Sequence, residues 1–150
     1  AGILYYDGGE RDTTIKLYEE RYVFIAPKVL ITSKEKDITW VEVAQIPLRL
    51  VTPNMKNRQL IDEHFLDLEI SPKIVTEASD FTAVLAQVAG GNAATIAPVS
   101  VAETFLDLKS TVQLDLTHPV MTHSVGLSIK DQSPMLPMIE ALRRAVQLAL

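Results

Sequence analysis

Residues 77–98, EASDFTAVLAQVAGGNAATIAP, constrain the fold more than any other stretch, because they read as a complete turnover from strand to helix to strand. Ser79 and Asp80 carry the short acceptor side chains that cap helix starts. Behind them Phe81, Val84, Leu85 and Val88 recur at helical spacing. Gly90 and Gly91 are expected to stop this helix by taking the left-handed conformation, and residues 93–97 form a short apolar run that reads as a buried strand. Residues 73–78 read as a strand before the unit, and residues 98–105 as another helix start after it. Strand, helix, strand, helix is the order of a parallel sheet built from crossovers.

The rest of the chain extends that pattern. Residues 1–6, AGILYY, read as a core strand that begins without a capping or turn residue, so the chain is expected to be a piece of a longer one. Asp7-Gly8-Gly9 is a turn signal and a candidate hinge. Two strands are expected at 13–18 and 22–26, the second more buried, followed by a charged surface excursion over 28–37. Residues 38–45 suit a short helix capped by Thr39, with Trp40 and Val43 or Ala44 inward. Residues 47–52 suit a strand, which Thr52-Pro53-Asn54 breaks ahead of a helix striped with Leu60, Ile61, His64, Phe65 and Leu68. The return through strand 73–77 is expected to close a right-handed crossover. A helix over 98–106, a strand over 112–116, a second hinge at Thr117-His118-Pro119 and a strand over 121–129 follow. Residues 131–134 then lead into a terminal helix, regular from Pro137, whose apolar side is Met138, Ile139, Leu142, Val146 and Leu150.

Composition narrows the function. A chain of 150 residues that is 47% hydrophobic and 22% charged is globular, and a net charge of -5 with 14 scattered basic residues does not suit an extended phosphate contact. There is no apolar run of about 20 residues and no cysteine. His64, His118 and His123 are too dispersed for a metal site, and His64 is expected to be a packed histidine in its helix stripe. The nucleophile-elbow, dinucleotide and phosphate-loop motifs are all missing, and adjacent carboxylates such as Glu19-Glu20 and Asp62-Glu63 diverge instead of converging on one substrate. No catalytic residue, metal ligand or cofactor is therefore expected, and the chain reads as no enzyme.

A binding edge does follow from the pattern. In a parallel sheet the strand ends at Thr52, Ala78 and Ala97 share one edge, and each precedes a helix whose first backbone N–H groups face the same crevice. Such an edge suits a small polar or anionic group. The candidates are Thr52, Asn54 and Met55 at the first turn, Ser79, Asp80, Phe81 and Thr82 at the second, and Pro98 and Ser100 at the third. Asp80 would compete for those donors, and Lys56 and Arg58 would offset it.

The helix ending Val88-Ala89-Gly90-Gly91, the small-residue strand closing on Pro98 and the helix after it resemble the effector-binding domain of LysR-type transcriptional regulators. So, in order, do Tyr18-Glu19-Glu20-Arg21-Tyr22-Val23, Ile38-Thr39-Trp40 and Pro47-Leu48-Arg49-Leu50-Val51-Thr52. The resemblance spans nearly the whole chain. It implies an α/β fold of the type II periplasmic-binding-protein kind: a lobe with a mixed, mainly parallel sheet flanked by helices, plus the last strand and helix of a partner lobe. On that reading residues 8–117 are lobe two and residues 1–7 and 118–150 belong to lobe one. The ligand lies between the lobes, which adds Tyr5 and Tyr6 to the candidates. The implied partners are a small-molecule effector of polar or anionic character, DNA only through a domain preceding this chain, and other copies in a homo-oligomeric parent, dimer or tetramer. Membrane contact is not implied, and the implied location is cytoplasmic. A lobe of a type II solute-binding protein from a transporter is the alternative with the same architecture.

Overall fold

The computed structural model describes residues 1–6, 14–32, 34, 36–105, 109–129 and 136–150. The expected turn at Asp7-Gly8-Gly9, the residue Leu106 and the lead-in at 131–134 lie outside them. The chain divides by its contacts into one unit of Ala1–Glu20 and Thr122–Leu150 and a second of Arg21–Met121. The sequence suggests 7/8 and 117/118 for these crossings; by contact they fall later, at 20/21 and 121/122.

In the first unit strand β1 (Gly2–Tyr6) runs antiparallel to β8 (Thr122–Ser128), with Tyr5 opposite Val125 and Tyr6 opposite Ser124. Val125, Leu127 and Ile129 are all buried, as their alternation predicts. On the other side of β8 lies β2 (Thr14–Pro27). A Cβ on Gly126 would stand 2.7 Å from the Thr14 methyl, so this approach depends on a bare backbone. The expected pair of strands at 13–18 and 22–26 is instead this single strand. Glu19, Glu20 and Arg21 include neither glycine nor proline, so nothing in the sequence breaks the ladder, and β2 runs unbroken from one unit into the other. Helix α5 (Pro137–Ala149) begins at the proline, as expected.

The second unit holds the strand–helix repeats. Its elements are β3 (Asp37–Thr39), α1 (Trp40–Val43), β4 (Pro47–Val51), α2 (Lys56–Asp67), β5 (Lys73–Ala78), α3 (Phe81–Ala89), β6 (Thr95–Pro98), α4 (Val99–Phe105) and β7 (Thr111–Thr117). Across the sheet β5 and β4 are parallel, and β4 meets the start of β6 through a parallel bridge between Leu48 and Ala94. Both β6 and β7 run antiparallel to β2, and β3 is parallel to β7. So β3 to β7 all point one way and β2 alone opposes them, a mixed and mainly parallel sheet. Residues 38–45, expected as one helix, divide at Thr39: Ile38 and Thr39 pair with β7, and the helix proper starts at Trp40 behind a capping box of Thr39 and Glu42.

Alternation along β2 places helices on both faces. Val23 and Ile25 join Val51, Val84, Leu85, Val88, Ala97 and Ala102 in the core under α3 and α4. Tyr22, from the alternate set, donates its hydroxyl to Asn57 of α2 at 2.5 Å. On that face the fully buried Trp40 meets Phe65 edge-on at 5.0 Å between ring centres and packs inward, as expected.

The helix ends differ in one respect from expectation. Neither Gly90, with φ of -89°, nor Gly91 is left-handed. Gly91 is demanded by space, because a Cβ there would stand 2.8 Å from the Gln87 carbonyl oxygen. Among the described residues positive φ falls instead at Glu69 after α2, at 56°, and at His118, at 57°.

Candidate functional site

The C-terminal ends of β4, β5 and β6 lie along one edge of the second unit, and α2, α3 and α4 each start from it. Thr52 is half-buried; its N–H donates to the Ala78 carbonyl at 3.0 Å and its carbonyl accepts from Met55 N–H at 3.0 Å, which joins the first two strand ends. Asn54 is exposed in the turn, and Met55 precedes α2 with its side chain against the core. No side chain caps α2. The N–H groups of its first turn are therefore left without a side-chain acceptor and carry the partial positive charge of the helix end.

The second turn, unlike the first, carries a side-chain cap. Asp80 Oδ1 accepts from Ala83 N–H at 2.8 Å, so Asp80 is the N-cap of α3 and that donor is taken. Ser79 Oγ lies 3.5 Å from the second Asp80 oxygen. Phe81 packs inward on the core, whereas Thr82 is exposed. At the third turn Pro98 is buried opposite Tyr22, and Ser100 is exposed, with its carbonyl accepting from Thr104 Oγ1 at 2.8 Å. The edge thus gathers Thr52, Asn54, Met55, Ser79, Asp80, Phe81, Thr82, Pro98 and Ser100. Tyr5 and Tyr6 sit in the first unit, on β1, with Tyr5 edge-on to His123 at 6.3 Å.

One expectation about the local charge is overturned. Arg58 does not offset Asp80, because it is buried: Nε donates to Asp62 at 2.9 Å, and Nη1 donates to Glu77 at 2.6 Å and to the Val51 carbonyl at 3.0 Å. Burial opposes its charge, but the Glu77 and Asp62 contacts outweigh burial and hold its pKa above the ordinary value. Arg58 therefore sets the end of β4 in place immediately before Thr52. The sequence carried one sign of this, the spacing of four between Arg58 and Asp62. The Tyr22–Asn57 bond, between residues 35 apart in sequence, had no such sign.

His64 packs on Trp40, ring centres 4.7 Å apart, and its Nε2 is buried without a partner. Burial lowers its pKa, with Asp67 pulling weakly the other way. Among the described residues no group of three metal-ligating side chains converges, and no helix is long and apolar enough to cross a membrane.

These features define a class: an α/β domain with a mixed sheet in which successive strand ends lead directly into helix starts along one edge. The family model of the LysR substrate binding domain matches residues 1–150. The chain belongs to that family, and is a small-molecule effector-sensing domain of a LysR-type transcriptional regulator. Solved structures share the fold. An effector binding domain of QuiR in complex with shikimate is similar with a TM-score of 0.77 at 22% identity, over 96% of this chain and 68% of that one. The reduced OxyR regulatory domain from Pseudomonas aeruginosa gives 0.73 at 19%, over 97% and 71%. The Synechocystis PCC6803 CcmR regulatory domain in complex with 2-PG gives 0.78 at 10%, over 98% and 72%. Against full-length OxyR C199D from Pseudomonas aeruginosa the chain covers 47% of the longer protein. No curated protein matches the chain in sequence.

Proposed function

We propose that the effector is a small polar or anionic metabolite held at the edge formed by Thr52, Asn54, Met55, Ser79, Asp80, Phe81, Thr82, Pro98 and Ser100. The observation that carries this reading is that consecutive crossovers deliver helix starts to one edge, the first without a side-chain cap and the second with part of its donor set taken by Asp80. The QuiR and CcmR domains, each described with a small molecule, support the ligand class. Tyr5 and Tyr6 enter through the family resemblance alone. The role is regulation without catalysis. The unit 21–121 acts as lobe two, the other as part of lobe one, and effector binding biases the equilibrium between two arrangements of the lobes. DNA contact belongs to the DNA-binding domain of the parent regulator, which works in the cytoplasm as a homo-oligomer.

The test uses the full-length regulator and a metabolite library read by thermal shift, followed by Thr52→Leu and Ser79→Leu. Each lost hydrogen bond should weaken effector response by about 0.5 to 1.5 kcal/mol, with operator binding in the absence of effector unchanged. An unaltered dose response in both variants would show that these residues only organise their helix starts.

A further inference from the structure

Arg49, in the middle of β4, lines an open cleft of about 530 Å³ together with Ala86, Gln87, Gly90, Gly91 and Asn92. Its Nη1 donates to Thr76 Oγ1 at 3.1 Å and to Gln87 Oε1 at 3.0 Å. Its Nη2 reaches only Asn92 Oδ1 at 3.5 Å, the outer limit of a hydrogen bond, and its Nε is buried with no acceptor. All three partners are neutral, and none of the ion pairs among the described residues involves Arg49. The contrast with Arg58, which holds two carboxylates, is direct.

The unsatisfied side of Arg49 has a definite shape. Nε and Nη2 share one edge of the planar guanidinium, and their N–H groups point in parallel along it, a spacing that matches the two oxygens of one carboxylate. Gly91 borders Nη2 with bare backbone, since a Cβ there would stand 3.8 Å from it, and the side chain that stands against Nη2 is Asn92. The carbonyl end of α3 works against any anion here, so the fork itself must carry the binding. The cleft lies by the end of α3, whereas the effector edge lies by its start, about 13 Å away for a helix of 9 residues.

We propose that this cleft is a second ligand site, one that binds a small carboxylate with its two oxygens on Nε and Nη2 of Arg49 while the exposed Asn92 side chain turns aside. It does not depend on the identity of the effector at the strand-end edge.

The experiment is a titration of the isotope-labelled domain with sodium succinate, at ionic strength held constant with sodium chloride, followed through the backbone amides of Gly90, Gly91 and Asn92. A saturable shift confined to these amides, absent with chloride alone, is expected. Arg49→Gln should remove it. Arg49→Lys keeps the charge and loses the fork, and should weaken it about tenfold or more. Because Arg49→Gln also loses the Thr76 and Gln87 contacts, Arg49→Lys is the variant to rely on if the other folds poorly. No saturable shift in the native chain, an equal affinity in Arg49→Lys, or shifts confined to the amides of Thr52, Ser79 and Asp80 would each overturn the proposal. So would a shift that tracks subunit association instead of succinate, which would assign the fork to a carboxylate of a second copy.

Discussion

Trp40 donates its indole N–H to the carbonyl of Pro119 at 2.9 Å, joining residues 79 apart in sequence. The same ring packs on His64 and Phe65 of α2. One side chain therefore ties the first residue of α1, the body of α2 and the segment that follows β7. A Trp40→Phe exchange keeps a ring in the core but loses the donor, and should lower stability by about 1 kcal/mol; Trp40→Ala should cost about 3 to 5 kcal/mol through the cavity it leaves. Since Trp40 is the only tryptophan, denaturation of both variants has to be followed by circular dichroism. Equal midpoints for Trp40→Phe and the native chain would show that the Pro119 bond contributes nothing.

Arg58 makes a sharper case, because its side chain is 7% exposed while those of its partners Asp62 and Glu77 are 44% and 40% exposed. Removing the arginine leaves two carboxylates that water can still reach, but strands the Val51 carbonyl at the end of β4. Arg58→Met should therefore cost about 1 to 3 kcal/mol, most of it from that carbonyl, whereas Glu77→Gln, which keeps an acceptor, should cost less. Urea titrations of the two variants compare these losses; an equal or larger loss in Glu77→Gln would mean that charge and not the carbonyl bond dominates.

Which parts were legible in the sequence follows from the range of the interaction responsible. Helices α2 and α3, their strands and the Thr39 and Asp80 caps were readable because periodicity and capping act over three or four residues. The continuity of β2 was not, because it depends on β8 and β7 being present as ladder partners, which no local pattern in residues 14–27 encodes. Nor was the commitment of Arg58 to Glu77, which needs β5 folded beside α2. Gly91 was recognised as a helix stop for the wrong reason: its constraint is a carbonyl 2.8 Å from the absent Cβ, a distance no local pattern encodes.

His64 sets a pH dependence whose sign follows from its environment. Burial favours the neutral ring, so its folded pKa lies below the ordinary 6.5. Between the two values the unfolded chain binds the extra proton. The stabilisation is thus fully present above pH 6.5 and is lost as pH falls through the lowered folded value. Urea midpoints at about pH 8 and about pH 5 should differ more in the native chain than in His64→Gln, which cannot titrate. Parallel profiles for the two would show that protonation of His64 is not linked to folding.

Asp80 separates capping from effector recognition. Asp80→Ala removes the acceptor of the Ala83 N–H and should destabilise α3 by about 1 kcal/mol. It also removes a negative charge from the start of α3. If an anionic effector is drawn to that helix start, Asp80→Asn, which retains capping ability, should bind it more tightly than the native chain in a direct calorimetric titration. Weaker binding in Asp80→Asn would identify the carboxylate as a direct acceptor from the effector, and the effector as a hydrogen-bond donor at that point.

The last prediction concerns association. Among the described residues strand β5 pairs with β4 alone, which leaves its other edge as an open sheet edge, and its burial alternates along its length. Val75 on that strand is 55% exposed and Leu66 on α2 is 76% exposed. If the parent regulator is a homo-oligomer, as proposed, this helix and strand are a candidate subunit contact. Helix α5 adds a second surface: no residue in it is buried, Ile139 and Val146 are half-buried, and Met138 and Leu142 are exposed. Exposed apolar area of this kind tends to find another surface. The isolated chain is expected to form a dimer or larger assembly in light scattering at micromolar concentration. A Leu66→Glu, Val75→Lys double variant should shift it towards monomer if β5 and α2 form the contact. If the double variant remains associated and Leu142→Glu dissociates it, α5 is the contact instead, and a native chain that is monomeric at every concentration would rule out both.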